Sequence, residues 1–174
     1  MNLLKISLVL LFITLPLFGC SDSPSAASIS IPEKDQAYLA DWGYAVKDRL
    51  GSDYKYKLSR KQLAQLPQMM IWGLQQADPA EYVGNEVTIR RYIVSSPEQE
   101  YKFRLKSGEM LTAALLIVRD KIVGGYIAAG SQGESDKPVG DALYSLDGRT
   151  VEEVTGQDFS GWRESWLTKY SGGD

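Results

Sequence analysis

The chain has 174 residues with 19 basic and 22 acidic side chains, a formal charge of −3, no histidine and a single cysteine. A mildly acidic chain lacks the clustered Lys and Arg that phosphate backbones and anionic leaflets require, which excludes nucleic-acid binding and purely electrostatic adhesion to a membrane. Without histidine there is no imidazole base or zinc ligand, and a lone cysteine permits neither an internal disulfide nor a cysteine metal cluster.

The amino terminus carries one cation, Lys5, and then an apolar run from Ile6 to Leu17 that Pro16 interrupts. This is the layout of an export signal, and the run is shorter than the about 20 apolar residues a membrane-spanning helix needs. Leu17-Phe18-Gly19-Cys20 resembles the lipobox of bacterial lipoproteins, with an aliphatic residue three positions before the cysteine and a small one just before it. The resemblance implies cleavage ahead of Cys20, a diacylglycerol on its sulfur and a second acylation point at its amine. More than one acyl chain gives stable attachment where a single chain holds only marginally. Processing removes Lys5 and no acid, so the mature chain is one unit more negative. Residues 20–30 are small and polar and read as a tether, long enough to span on the order of 20 Å as a random coil. The expected organisation is a signal over 1–19, a Ser-rich tether over 20–30, one domain over 31–170 and a flexible tail over 171–174.

Within the domain, Ser30-Ile31-Pro32-Glu33 has the spacing of a capping box, and Tyr38, Leu39 and Trp42 then share a helical face up to Gly43. Tyr44-Ala45-Val46 reads as extended. Tyr54, Tyr56 and Leu58 alternate with Lys55 and Lys57, the period of a strand with one wet face; the interleaved lysines suit an edge strand. Ser59-Arg60-Lys61-Gln62 is a second capping box, opening a helix with Leu63 and Leu66 on one face. Pro67 stops or kinks it, and a further helix carries Met70, Ile71 and Leu74 inward. Asp78-Pro79-Ala80-Glu81 predicts a capped single turn closed by Gly84.

Val87 to Val94 is rich in β-branched residues and predicts a strand in which Arg90 and Arg91 point to opposite faces, so that one cation conflicts with a buried side. Glu98 and Glu100 fall in a Pro-containing polar turn. Leu115-Leu116-Ile117-Val118 and Ile122 to Ile127 flank Arg119-Asp120-Lys121 as a hairpin, and Gly124-Gly125 predicts a bulge or a close approach by another group. A Gly/Ser/Asp loop spans 129–140, followed by a short strand over 142–146 and a turn at Asp147-Gly148. Thr150-Val151-Glu152-Glu153 is another capping box, and Gly156 stops that helix. Asp158 caps the last one, whose Phe159, Trp162, Trp166, Leu167 and Tyr170 recur at helical spacing. Helices at both ends with strands between predict an α+β domain: an antiparallel sheet of roughly four strands with helices packed on one face.

Three segments together resemble a domain of unknown function found in exported proteins of Gram-positive, often spore-forming, bacteria. They are Ala37 to Tyr44; Asp78 to Gly84 leading into the strand with Arg91-Tyr92; and Leu116-Ile117-Val118 through Gly124-Gly125. The tail adds Tyr144 to Thr150 and Glu153-Val154-Thr155-Gly156, with Tyr126 where members of that family often carry an acid. The resemblance implies an exterior location and a shared fold, and no activity.

No motif assigns chemistry. The 130–137 loop lacks the glycine–lysine spacing that cradles a phosphate, and Asp136, Asp141 and Asp147 lack the spacing of a calcium loop. Ser95, Ser96 and Ser131 have no histidine to activate them. Glu98, Glu100, Glu109, Glu152 and Glu153 supply the carboxylates for the alternative function, a histidine-free hydrolase acting on an envelope glycan. The sequence therefore assigns no catalytic, cofactor or metal residue. It predicts lipidation at Cys20, a candidate binding surface at Trp162, Trp166 and Tyr170, and a membrane-tethered accessory or binding module for an envelope protein or wall polymer.

Overall fold

A two-residue turn at Arg119-Asp120 organises the sheet in the computed structural model, which describes residues 30–131 and 142–172. Both turn residues are left-handed, with φ of 48° and 61°, the geometry whose twist matches that of the flanking strands. The strands it joins, β4 (Glu109–Val118) and β5 (Lys121–Ser131), are longer than the apolar runs that announce them. The register slips between Leu116 and Ile117, where Val123 is the extra residue, so the bulge lies beside the double glycine, whose own pairing with Leu115 and Leu116 is regular.

β3 (Glu86–Ser95) pairs antiparallel with β4 along its length, and β6 (Leu143–Ser145) pairs with β5. On the outer side of β3 two short strands lie end to end. β1 (Ala45–Arg49) covers Tyr92 to Ser95, and β2 (Tyr54–Lys57) covers Glu86 to Ile89. The sheet thus has six strands rather than roughly four. β6 lies within the short strand expected over 142–146, while β1 runs on from the extended Tyr44-Ala45-Val46 through a register shift between Val46 and Asp48.

The caps follow the sequence with two exceptions. α2 (Arg60–Leu63) and α5 (Val151–Thr155) have complete capping boxes at Ser59 and Thr150, and Asp158 accepts from the Gly161 amide at the start of α6 (Phe159–Tyr170). Asp78 caps the 3-10 turn Pro79–Tyr82, and α3 (Gln68–Gly73) begins directly after Pro67. At α1 (Glu33–Asp41), however, Pro32 is the cap and no side chain bonds to the first turn, so Ser30 does not act as expected. The segment holding Glu98 and Glu100 is a helix, α4 (Pro97–Phe103), not a polar turn: Pro97 sits where a helix has no use for its N–H, acids occupy the first turn and Lys102 the last. Leu66 falls between α2 and α3 and is 63 % exposed, so it does not share the Leu63 face.

Helices cover both faces of the sheet, not one. Val87, Ile89, Ala114, Leu116, Val118 and Tyr126 point to a core shared with α2, α3, α5 and α6. Their alternating neighbours Tyr92, Val94, Leu111, Ala113, Leu115 and Ile117 build a second core with Leu39 of α1, against which Phe103 of α4 packs. β4 is buried on both sides from Ala113 to Val118 and reads as a continuous apolar run, leaving no alternation to reveal the second layer.

Candidate binding groove

The C-terminal helix is seated by a missing side chain. At Gly73, the last residue of α3, a Cβ would lie 2.4 Å from Trp162 Cζ2, so only glycine lets the indole lie against that helix. Trp162, Trp166 and Tyr170, one turn apart, form a ladder with ring centroids 5.5 and 4.5 Å apart. Trp162 and Tyr170 are 4 % and 2 % exposed and belong to the core. Trp166 is half-buried, and its indole N–H donates to the Leu63 carbonyl at 2.7 Å, which fixes its ring plane. Of the three residues expected to form a surface, Trp166 is the one with substantial exposure.

A groove of about 660 Å³ opens between this helix and the end of α3, lined by Gln75 and Gln76 from the α3 side, Trp166 and Lys169 from α6, and Arg149 and Thr155. A smaller cleft of about 120 Å³ shares Gln75, Gln76, Arg149 and Val154 with it and continues past Gly124-Gly125 to Tyr38 and Trp42 of α1. The double glycine is explained here. Gln75 reaches across β5, its Oε1 accepting from the Gly125 amide at 2.9 Å while its Nε2 donates to the Ile71 carbonyl at 2.6 Å. A Cβ at Gly124 would lie 2.2 Å from that Oε1.

The charged groups of the groove are paired within it. Asp147 accepts from Arg149 Nε at 2.6 Å and from the Ser145 hydroxyl. Asp78 accepts from Lys169 Nζ at 2.8 Å, from the Tyr170 hydroxyl at 2.7 Å and from the Ala80 amide. Those bonds, led by the one from Lys169, hold the Asp78 carboxyl down to about 2. Burial pushes the Asp147 carboxyl up, but the bonds from Ser145 and Arg149 outweigh it and leave it below the usual range.

A second polar cluster lies beneath α1, away from the groove. Asp35 is fully buried; its Oδ2 accepts from Arg90 Nη1 at 2.6 Å and from the Tyr92 hydroxyl at 2.5 Å, while Oδ1 has no partner among the described residues. Arg90 also reaches Asp53, which Arg49 Nη2 binds at 2.6 Å. Burial alone would raise the Asp53 carboxyl, but the two arginines hold it low. The adjacent Arg90 and Arg91 signalled that one cation would conflict with a buried face; the acid that resolves the conflict could not be read, because Asp35 is 55 positions away.

The carboxylates considered for hydrolysis have local tasks or face solvent. Glu100 accepts from the Ser96 amide, Glu109 from the Lys106 amide and Glu153 from the Thr150 amide, while Glu98 and Glu152 are exposed. Among the described residues no group of three or more acidic or cysteine side chains is placed to hold a metal ion, and no helix is long and apolar enough to cross a membrane. The signal, Cys20, the tether up to residue 29 and most of the Gly/Ser loop lie outside the described residues. No protein-family model matches the chain, and no curated protein and no solved structure matches it either.

Proposed function

We propose that the chain is a membrane-anchored extracytoplasmic lipoprotein whose domain is a non-enzymatic accessory or binding module for an envelope protein or cell-wall polymer. The observation that carries the reading is the pairing of a lipobox-like segment, Leu17 to Cys20, with a groove in which, among the described residues, each charged side chain is paired with another of the same groove. A reacting site keeps an acid, base or nucleophile free to move a proton or attack. Here both carboxylates are held ionised by partners, an arrangement that suits recognition. The likeness to the exported domain of unknown function supports the location.

Cys20→Ser tests the anchor. The wild-type chain should sediment with membranes and, when the lipoprotein signal peptidase is blocked with globomycin, accumulate as a larger precursor. The variant should be released into the soluble exterior fraction. A variant that stays as firmly bound as the wild type removes the lipid-anchor reading.

A further inference from the structure

We infer that the groove between α6, the end of α3 and α1 takes a neutral oligosaccharide, an inference that rests on the proposed binding function and names its ligand. A sugar ring presents an apolar C–H face and a rim of hydroxyls that donate and accept in one plane. A site for it needs an aromatic surface, planar polar groups at the edges and no unbalanced charge.

Each requirement has a named residue. At the α1 end Trp42 is 38 % exposed, and at the α6 end Trp166 presents a half-buried ring whose plane the bond to Leu63 fixes before any ligand arrives. Such rings combine an apolar body with ordered orientation and lose little entropy on binding. The exposed amide of Gln76 lines both spaces, and that of Gln157 lines the larger one. The Asp147–Arg149 pair is 35 % and 43 % exposed, so it retains lone pairs and N–H groups for hydroxyls. The two carboxylates and two cations that line the groove cancel, and each cation is already engaged. Among the described residues an anionic polymer would find no cation without an acidic partner there and would have to approach Asp78 and Asp147. The space of about 660 Å³ at the α6 end falls within the range of small-ligand sites, and the cleft of about 120 Å³, which shares four lining residues with it, extends it toward Trp42.

The test uses the full acylated protein in a detergent without a sugar headgroup, titrated with chitotetraose as the neutral probe and tetragalacturonate as its anionic counterpart, followed by calorimetry and tryptophan fluorescence. Chitotetraose should bind saturably and at least about ten-fold more tightly than tetragalacturonate. Trp42→Ala should weaken it about ten-fold and Gln76→Ala about three-fold, both with unchanged circular dichroism, while Phe159→Ala, outside the groove, should leave it unaltered. No saturable binding of chitotetraose, equal binding of the anionic probe, or an affinity indifferent to Trp42→Ala overturns the inference. Sedimentation of the same protein with purified wall sacculi and a pull-down from envelope extract separate the two levels. Binding in either that survives Trp42→Ala leaves the module and removes the glycan groove, and binding in neither removes both.

Discussion

The two faces of the sheet are held by different physics. Beneath α2, α3, α5 and α6 the sheet meets a large apolar core centred on the fully buried Trp72, whose one polar atom donates to the Tyr56 hydroxyl at 3.0 Å. Beneath α1 the apolar contact includes Leu39, and a buried ion pair adds to it, with Asp35 closed under Arg90 and Tyr92. Apolar cover tolerates imprecision but not lost volume. An ion pair tolerates neither partner's removal, because the survivor stays buried and charged. The first face carries the α6 end of the groove, so its rigidity decides how well Trp166 is presented; the second fastens α1, the helix that follows the tether and runs to Trp42 at the other end.

Trp72→Ala should be the most costly single change, at about 3–5 kcal/mol by urea denaturation, since it empties the centre of the larger core. Asp35→Ala should cost about 3 kcal/mol, leaving the Tyr92 hydroxyl unpaired and Arg90 with Asp53 alone. The comparison sharpens with Asp35→Leu, Tyr92→Phe and Arg90→Met made together, which should recover most of that loss. A combined variant as unstable as Asp35→Ala would show that the charges themselves, not their mutual compensation, stabilise that face. Gly73→Ala should cost about 1–3 kcal/mol by overpacking, because its methyl would press on the Trp162 ring at 2.4 Å. It should also shift the tryptophan emission, since the ladder moves as a unit.

Local order was legible and layer order was not. The caps at Ser59, Asp78, Thr150 and Asp158 and the bulge beside the double glycine depend on residues a few positions apart, and the structure reproduces them. The cover of the second face depends on contacts such as Asp35 with Arg90, whose partners are 55 positions apart, and β4 gave no periodicity to expose it. α4 was missed for another reason: Pro97 and three polar residues look like a turn until Phe103 is seen to pack against the second core. In the groove, Trp166 was readable from helical spacing. Gln75 and Lys169 were not, since their partners Gly125 and Asp78 lie 50 and 91 positions away; Arg149 is set by Asp147, two positions away, but nothing local places that pair at a groove.

The smallest expected effect is also the one that links the groove to solution conditions. Asp78 joins the 3-10 turn to the end of α6 through Lys169 and Tyr170, and its carboxyl is held down to about 2, below the ordinary 3.8. A group depressed on folding contributes stability that is complete above its unfolded pKa and is lost as pH falls through its folded one. The contribution of this pair is therefore intact at neutral pH and disappears between about pH 4 and pH 2. Because the Asp78 side chain is 41 % exposed, solvent screens the pair and its worth is at most about 1 kcal/mol. Asp78→Asn should lower stability at pH 7 by about that amount and flatten this part of the acid limb, bringing variant and wild type together near pH 2. Curves that stay parallel down to pH 2 would mean that Tyr170 and the Ala80 amide hold the turn without the charge. The α6 end of the groove would then owe its closure to packing and uncharged hydrogen bonds.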